Sequence, residues 1–168
     1  KLRVDSILPV DGAPSGGGGG IIQVIQTIKK DQFETSTTVG SGYADITGLS
    51  ATITPKFSTS KIMVEANIYN SNNNAVNFFR VLRGSTFIEQ PSGTSSSGAN
   101  WNAHGFSYFD HQFQDTCVIK ILDSPATTSA TTYKIQTACT SNVVTINQFF
   151  NTSNYFGITT LQLYEVSA

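Results

Sequence analysis

The sequence has little charge: 12% of its 168 residues are Asp, Glu, Lys or Arg, about half the usual share of roughly 25%. Ten basic residues stand against eleven acidic ones, for a net charge of −1. Without a cationic field to gather phosphates or an anionic bilayer, neither nucleic acid nor membrane is expected as a partner. No apolar run approaches the roughly 18 residues of a membrane-spanning helix, and no basic stretch followed by an apolar one opens the chain. No transmembrane helix or uncleaved signal segment is expected.

Residues that carry chemistry are equally scarce. Cys117 and Cys139 are the only cysteines, lack the Cys-x-x-Cys spacing of zinc and redox motifs, and read as two small buried side chains, with a disulfide as the alternative. His104 and His111 lie seven residues apart, so in a regular strand they face opposite ways and share no metal. His111 is in phase with Phe109 and Phe113, which predicts an imidazole packed among aromatics. There is no Gly-x-Ser-x-Gly elbow, calcium-loop pattern or distinctive acid pair. The glycines at 16–20 are followed by Ile21-Ile22 where a phosphate loop needs Gly-Lys-Ser/Thr. No catalytic residue, metal or cofactor is assigned, and an enzyme is not expected. Asn151-Thr152-Ser153 would accept an N-linked sugar only on a eukaryotic secretory route.

Ser, Thr and Asn supply roughly three residues in ten, so solubility rests on hydroxyls and amides. Three regions follow from composition. Residues 1–14 form an arm in which Leu2, Val4 and Ile7 are apolar and Pro9, Asp11-Gly12 and Pro14 are turn signals. Residues 15–20 are a glycine tether, and 21–168 are a body rich in Ile, Val, Thr, Tyr and Phe. Strands are predicted at 21–28, 49–54, 60–70, 76–83, 104–114, 117–123, 131–138, 143–150 and 158–166, with turn chemistry between them. No helical period of ten or more residues occurs, so the class is all-β, an antiparallel sandwich or barrel.

The alternation within strands bears on assembly. In 60–70, Ile62, Val64, Ala66 and Ile68 share one face and the other is mostly polar. In 76–83 both faces are apolar, with Phe78 on one and Phe79 and Val81 on the other. The doubling recurs at Phe149-Phe150 and at Tyr164. A single inner core needs one apolar face per strand, so Phe78, Phe79, Val81, Phe149, Phe150 and Tyr164 are expected to meet other copies of the chain. For recognition, the Asn70–Asn74 run is read as an exposed turn presenting Asn72, Asn73 and Asn74. The polar tract 90–102 offers Trp101 between Asn100 and Asn102, either as a platform for a sugar or folded back as a plug.

The ordered fragments IIQVIQTIK, ADITGLSATITP, SKIMVEANI, FFRVLRGST, LDSPATTSATTYKIQ and TTLQLYEV resemble the small β heads of tail fibres and other virion-surface proteins of tailed bacteriophages, marine and cyanophage types especially. LRVDSILPVDG is similar to the segment leading into such heads. The resemblance implies a homotrimeric jelly-roll-like head of the tumour-necrosis-factor sort on the outside of a tail fibre or capsid, joined to other virion proteins through the arm (Leu2, Val4, Ile7) and meeting a host-surface glycan. It carries over no catalytic residues. The alternatives are a capsid cement or decoration protein without receptor role, and a secreted lectin-like module.

Overall fold

The computed structural model describes residues 20–93, 101–150 and 154–167. Leu2, Val4, Ile7, most of the glycine tether, Asn100 and the Asn151-Thr152-Ser153 acceptor lie outside the described residues. The elements are β1 (Ile21–Lys29), β2 (Phe33–Thr35), β3 (Ala44–Ile53), β4 (Lys61–Arg83), β5 (Thr86–Phe87), β6 (Gly105–Asp123), β7 (Thr131–Cys139), β8 (Val144–Ile146) and β9 (Thr159–Val166). Their ladders are antiparallel. The class is that expected, an all-β jelly-roll-like sandwich.

Two strands are longer than their sequence suggests. The segments 60–70 and 76–83 are one 23-residue strand, β4, and 104–114 and 117–123 are one 19-residue strand, β6. The two pair from Ile62↔Asp123 to Phe79↔Gly105 along one edge of β4. The other edge of β4 is taken in succession by β9, β8 and β7. The first half of the ribbon therefore lies in a sheet ordered β1-β9-β4-β6, and the second half in one ordered β3-β7-β4-β6. Ile62, Val64, Ala66 and Ile68 from the first half and Phe79 and Val81 from the second join a single core with Leu49, Ile53, Ile135, Leu161 and Leu163. The ribbon thus folds its inner face onto itself. At the far edges, Thr27 Oγ1 of β1 donates to the Ser50 carbonyl of β3 (2.8 Å).

The fold of the ribbon is made by amides, which corrects the reading of Asn72–Asn74 as an exposed turn. Asn70, Asn72 and Asn77 are buried. Up to Asn72 the even-numbered residues of β4 face inward, and from Ala75 the odd-numbered ones do. The phase changes at Asn74, whose φ of +48° accompanies a register shift against β6, the left-handed conformation that Asn adopts at low cost. Asn70 Nδ2 donates to Ser107 Oγ (3.2 Å) and the Asp115 carbonyl (3.1 Å). Asn77 Nδ2 donates to Asn70 Oδ1 (2.9 Å), and Asn72 Nδ2 to Asn77 Oδ1 (2.6 Å). Three amides satisfy one another, so the run stays in the strand instead of turning out to water.

Two further polar groups close the ends of the ribbon. Buried Asp123 accepts from Arg83 Nη1 (2.7 and 2.8 Å) and from the hydroxyl of fully buried Tyr133 (2.6 Å). That hydroxyl is pushed well above its ordinary range, first by burial and then by the carboxylate. His104 fills the gap along β4 between the start of β6 and the β4–β5 turn at Gly84. Its Nδ1 accepts from the Val81 N–H (2.9 Å), so Nε2 carries the proton and donates to the Ile88 carbonyl (2.8 Å).

Two outcomes follow. Asn77→Ala orphans the Asn72 donor and the Asn70 acceptor and is expected to cost about 2–4 kcal/mol in urea unfolding, whereas Asn74→Gly should stay within about 0.5 kcal/mol; equal effects would contradict the network. Burial holds the His104 imidazole below its ordinary value, so the folded state takes up this proton at lower pH than the unfolded chain. The stability this site contributes is complete above about pH 6.5 and declines as the pH falls below that, by at most about 1.4 kcal/mol per pH unit. His104→Gln should flatten the stability profile between pH 7 and 5, and a variant profile parallel to wild type would refute the assignment.

Candidate interaction surfaces

Of the six residues expected to meet other copies, two face the core and a third is covered by the chain itself. Phe79 and Val81 are both 0% exposed in the main core. Phe78 lies on the outer side of its sheet, but Val39 and Ala138 pack beside it with Tyr43, Val76 and Ala103. Those covers come from the segment before β3, which is tied to β7 by Val39 N–H to the Cys139 carbonyl (3.1 Å) and Cys139 N–H to the Thr37 carbonyl (2.9 Å), and from the residues leading into β6. The second apolar side of this half of β4 is therefore answered within the chain, because β4 is central in the sheet and a crossing segment roofs it. Phe149 and Phe150 are half-buried beyond the end of β8, Phe149 edge-on to Tyr155 at 5.9 Å. Tyr164 does lie half-buried on the outer face of the first sheet.

The residues expected to touch a receptor are not brought together. Asn72 is internal, Asn73 is half-buried with its carbonyl accepting from Asn142 Nδ2 (2.6 Å), and Asn74 is exposed at the bulge. Trp101 stands edge-on to Phe78, 5.7 Å between centroids, and keeps 43% of its surface exposed. Phe78 is four residues beyond Asn74 along β4, roughly 13 Å. Asn102 is half-buried and its carbonyl accepts from the Tyr43 hydroxyl (3.1 Å). Trp101 both plugs and presents a face, and its exposed aromatic neighbours are Phe106, tilted against Phe78 at 6.4 Å, and Tyr108 on the same side of β6.

Beside this cluster Arg80 lies over the Tyr43 ring at 3.9 Å and the Phe87 ring at 5.3 Å, with Nε donating to Gln136 Oε1 (2.8 Å). Gln136 and Lys134 both donate to Asp45 (2.6 and 2.7 Å), and the Lys134 hydrogen bond holds that carboxyl below the usual range. Among the described residues no three His, Cys, Asp or Glu side chains gather as a metal site. His111 is exposed beside Asp110 (3.5 Å) and Phe113 instead of packed among aromatics, because among the described residues β6 has no neighbouring strand on the edge away from β4. Both cysteines are free and buried, and burial pushes the Cys117 thiol up to about 11.

Register reveals a surface that strand-by-strand reading missed. Across the first sheet, Val24 is opposite Tyr164, Tyr164 opposite Met63, and Met63 opposite Leu122. These outward residues form one apolar row over four strands, flanked by exposed Ile22, Ile28 and Val118. The sequence signal for it was the second apolar face of β9 at Tyr164. The second open feature is β6, a 19-residue strand whose edge away from β4 pairs with no strand among the described residues.

No protein-family model and no curated protein matches this chain. Its fold is similar to solved structures of infectious bursal disease virus: the Gt strain (TM-score 0.44, 14% identity, covering 100% of this chain and 42% of that one), the Gx strain (0.45, 13%, 87% and 37%) and the VP2 subviral particle (0.43, 14%, 87% and 38%). The chain spans about two fifths of the length of these structures.

Proposed function

We propose that this chain is a non-enzymatic virion-surface protein of a tailed bacteriophage, a β head on a tail fibre or the capsid exterior. Three copies pack around one axis, and residues 1–14 tie them to other virion proteins. The observation that carries the many-copy reading is the Val24–Tyr164–Met63–Leu122 row, since soluble monomers rarely leave a contiguous apolar band in water. The ordered fragments that resemble phage β heads support the particle. Three heads on one axis multiply weak contacts to a host-surface glycan by avidity, and the exposed face of Trp101 is the candidate contact. A decoration protein without receptor role is the second reading, favoured by the lean of Trp101 on Phe78 and the burial of Asn72, which disperse the set expected to meet a receptor.

Sedimentation at micromolar concentration should give a three-copy species. Val24→Glu, at a side chain outside the fold's own core, should abolish the three-copy species while leaving the unfolding midpoint of the chain nearly unchanged; a wild-type monomer would overturn the oligomer. Trp101→Ala should reduce adsorption of the head to host cells by about tenfold or more. Undiminished adsorption would remove Trp101 as the contact and leave the decoration reading.

A further inference from the structure

We propose that β6 is completed by the β6 of a second copy, running antiparallel to it about a two-fold axis at Gln114. A strand edge of this length is a row of unpaired N–H and C=O groups, and folded proteins keep such edges short, charged or covered. β6 is long, and its outward side carries Phe106 and Tyr108 (each 68% exposed) near one end and Val118 and Leu122 near the other. Phe113 is 56% exposed although it has the odd-numbered phase of Phe109, Cys117 and Ile119, which face the core. Among the described residues the sandwich is open along this side.

The sequence of the strand selects the occupant and the register. Antiparallel self-pairing lets one set of residues satisfy both edges at once. With the axis at Gln114, Phe106 lies opposite Leu122, and Tyr108 opposite Lys120, which pairs with Glu65 of its own chain (3.0 Å) and has Asp110 of the other copy diagonal to it. Phe113 lies opposite Asp115, and the two Gln114 residues, each with its Oε1 accepting from the Tyr69 hydroxyl of its own chain, lie opposite each other. An axis at Asp115 would set two carboxylates face to face, which is unfavourable. An axis at Phe113 would set Phe106 against Lys120 and leave Leu122 beyond the partner strand. A two-fold axis perpendicular to the ribbon preserves inside and outside, so each half of β6 continues the other copy's opposite sheet. A strip of 19 residues is roughly 60 Å long, and at about 10 Å wide it covers about 600 Å² per copy, near the lower end of stable interfaces. The contact shares Leu122 with the apolar row of the first sheet but does not use Val24, Tyr164 or Met63, so linking at Gln114 reads it separately from how many copies form a head.

The test is disulfide trapping in the full chain, where the native thiols are buried. Gln114→Cys under mild oxidation should give a covalent two-chain species, and Gln112→Cys, which the register sets opposite Thr116, should give much less. Equal or absent linking in the two overturns the proposal, as it would if the edge were covered by another segment or protein. Independently, Asp110→Lys, which sets two lysines diagonal to each other in each half of the contact, should weaken concentration-dependent association by about tenfold; association indifferent to the change also overturns it. A smallest species other than a trimer would count against the three-copy head and not against this contact.

Discussion

The fold depends on three buried amides. Asn70, Asn72 and Asn77 bond to one another at the place where β4 passes from one sheet to the other, and Asn74 takes up the phase change beside them. An unsatisfied amide at such a site costs about as much as several well-packed methylenes return, so a chain bending here must pair every polar group or expose the bend to water. By pairing them it keeps a single ribbon continuous through both sheets, and that ribbon places everything else. Its inner face makes the core, its β4 edge receives β9, β8 and β7 in turn, and its β6 edge meets no strand among the described residues.

The open edge and the apolar row are consequences of that arrangement. A ribbon of two strands has two edges, and among the described residues no strand other than β4 pairs with β6. Over the second half of the ribbon the outward apolar side is roofed by the chain itself, through Val39, Tyr43 and Ala103 around Phe78. Over the first sheet the corresponding row has no such roof among the described residues. The difference between halves is what turns a general surplus of apolar side chains into specific surfaces where copies would meet.

The class and most strand positions were legible because they depend on local pattern: β-branched residues, period-two alternation and turn chemistry at Gly84. The length of β4 was not, since NSNNN has the composition of a turn and only tertiary partners show that its amides are satisfied. The placement of Phe78, Phe79 and Val81 was not legible for a related reason. Phe79 and Val81 alternate with Phe78, and one strand's pattern cannot say whether its second side meets another molecule or another part of the same chain. His111 was in phase with Phe109, but phase implies burial only where a neighbouring strand covers the site. The Val24–Tyr164–Met63–Leu122 row draws one residue from each of four strands distant in sequence, so it required the register of three ladders.

Residue-resolved amide hydrogen exchange along Lys61–Arg83 tests the continuity of the ribbon most directly. If the amides bind the strand together, the N–H groups of Asn70, Ser71 and Asn72 exchange as slowly as those of Val64 and Ala66, through global unfolding. Exchange at those three positions at rates near those of an exposed turn, with the flanking segments protected, would contradict it.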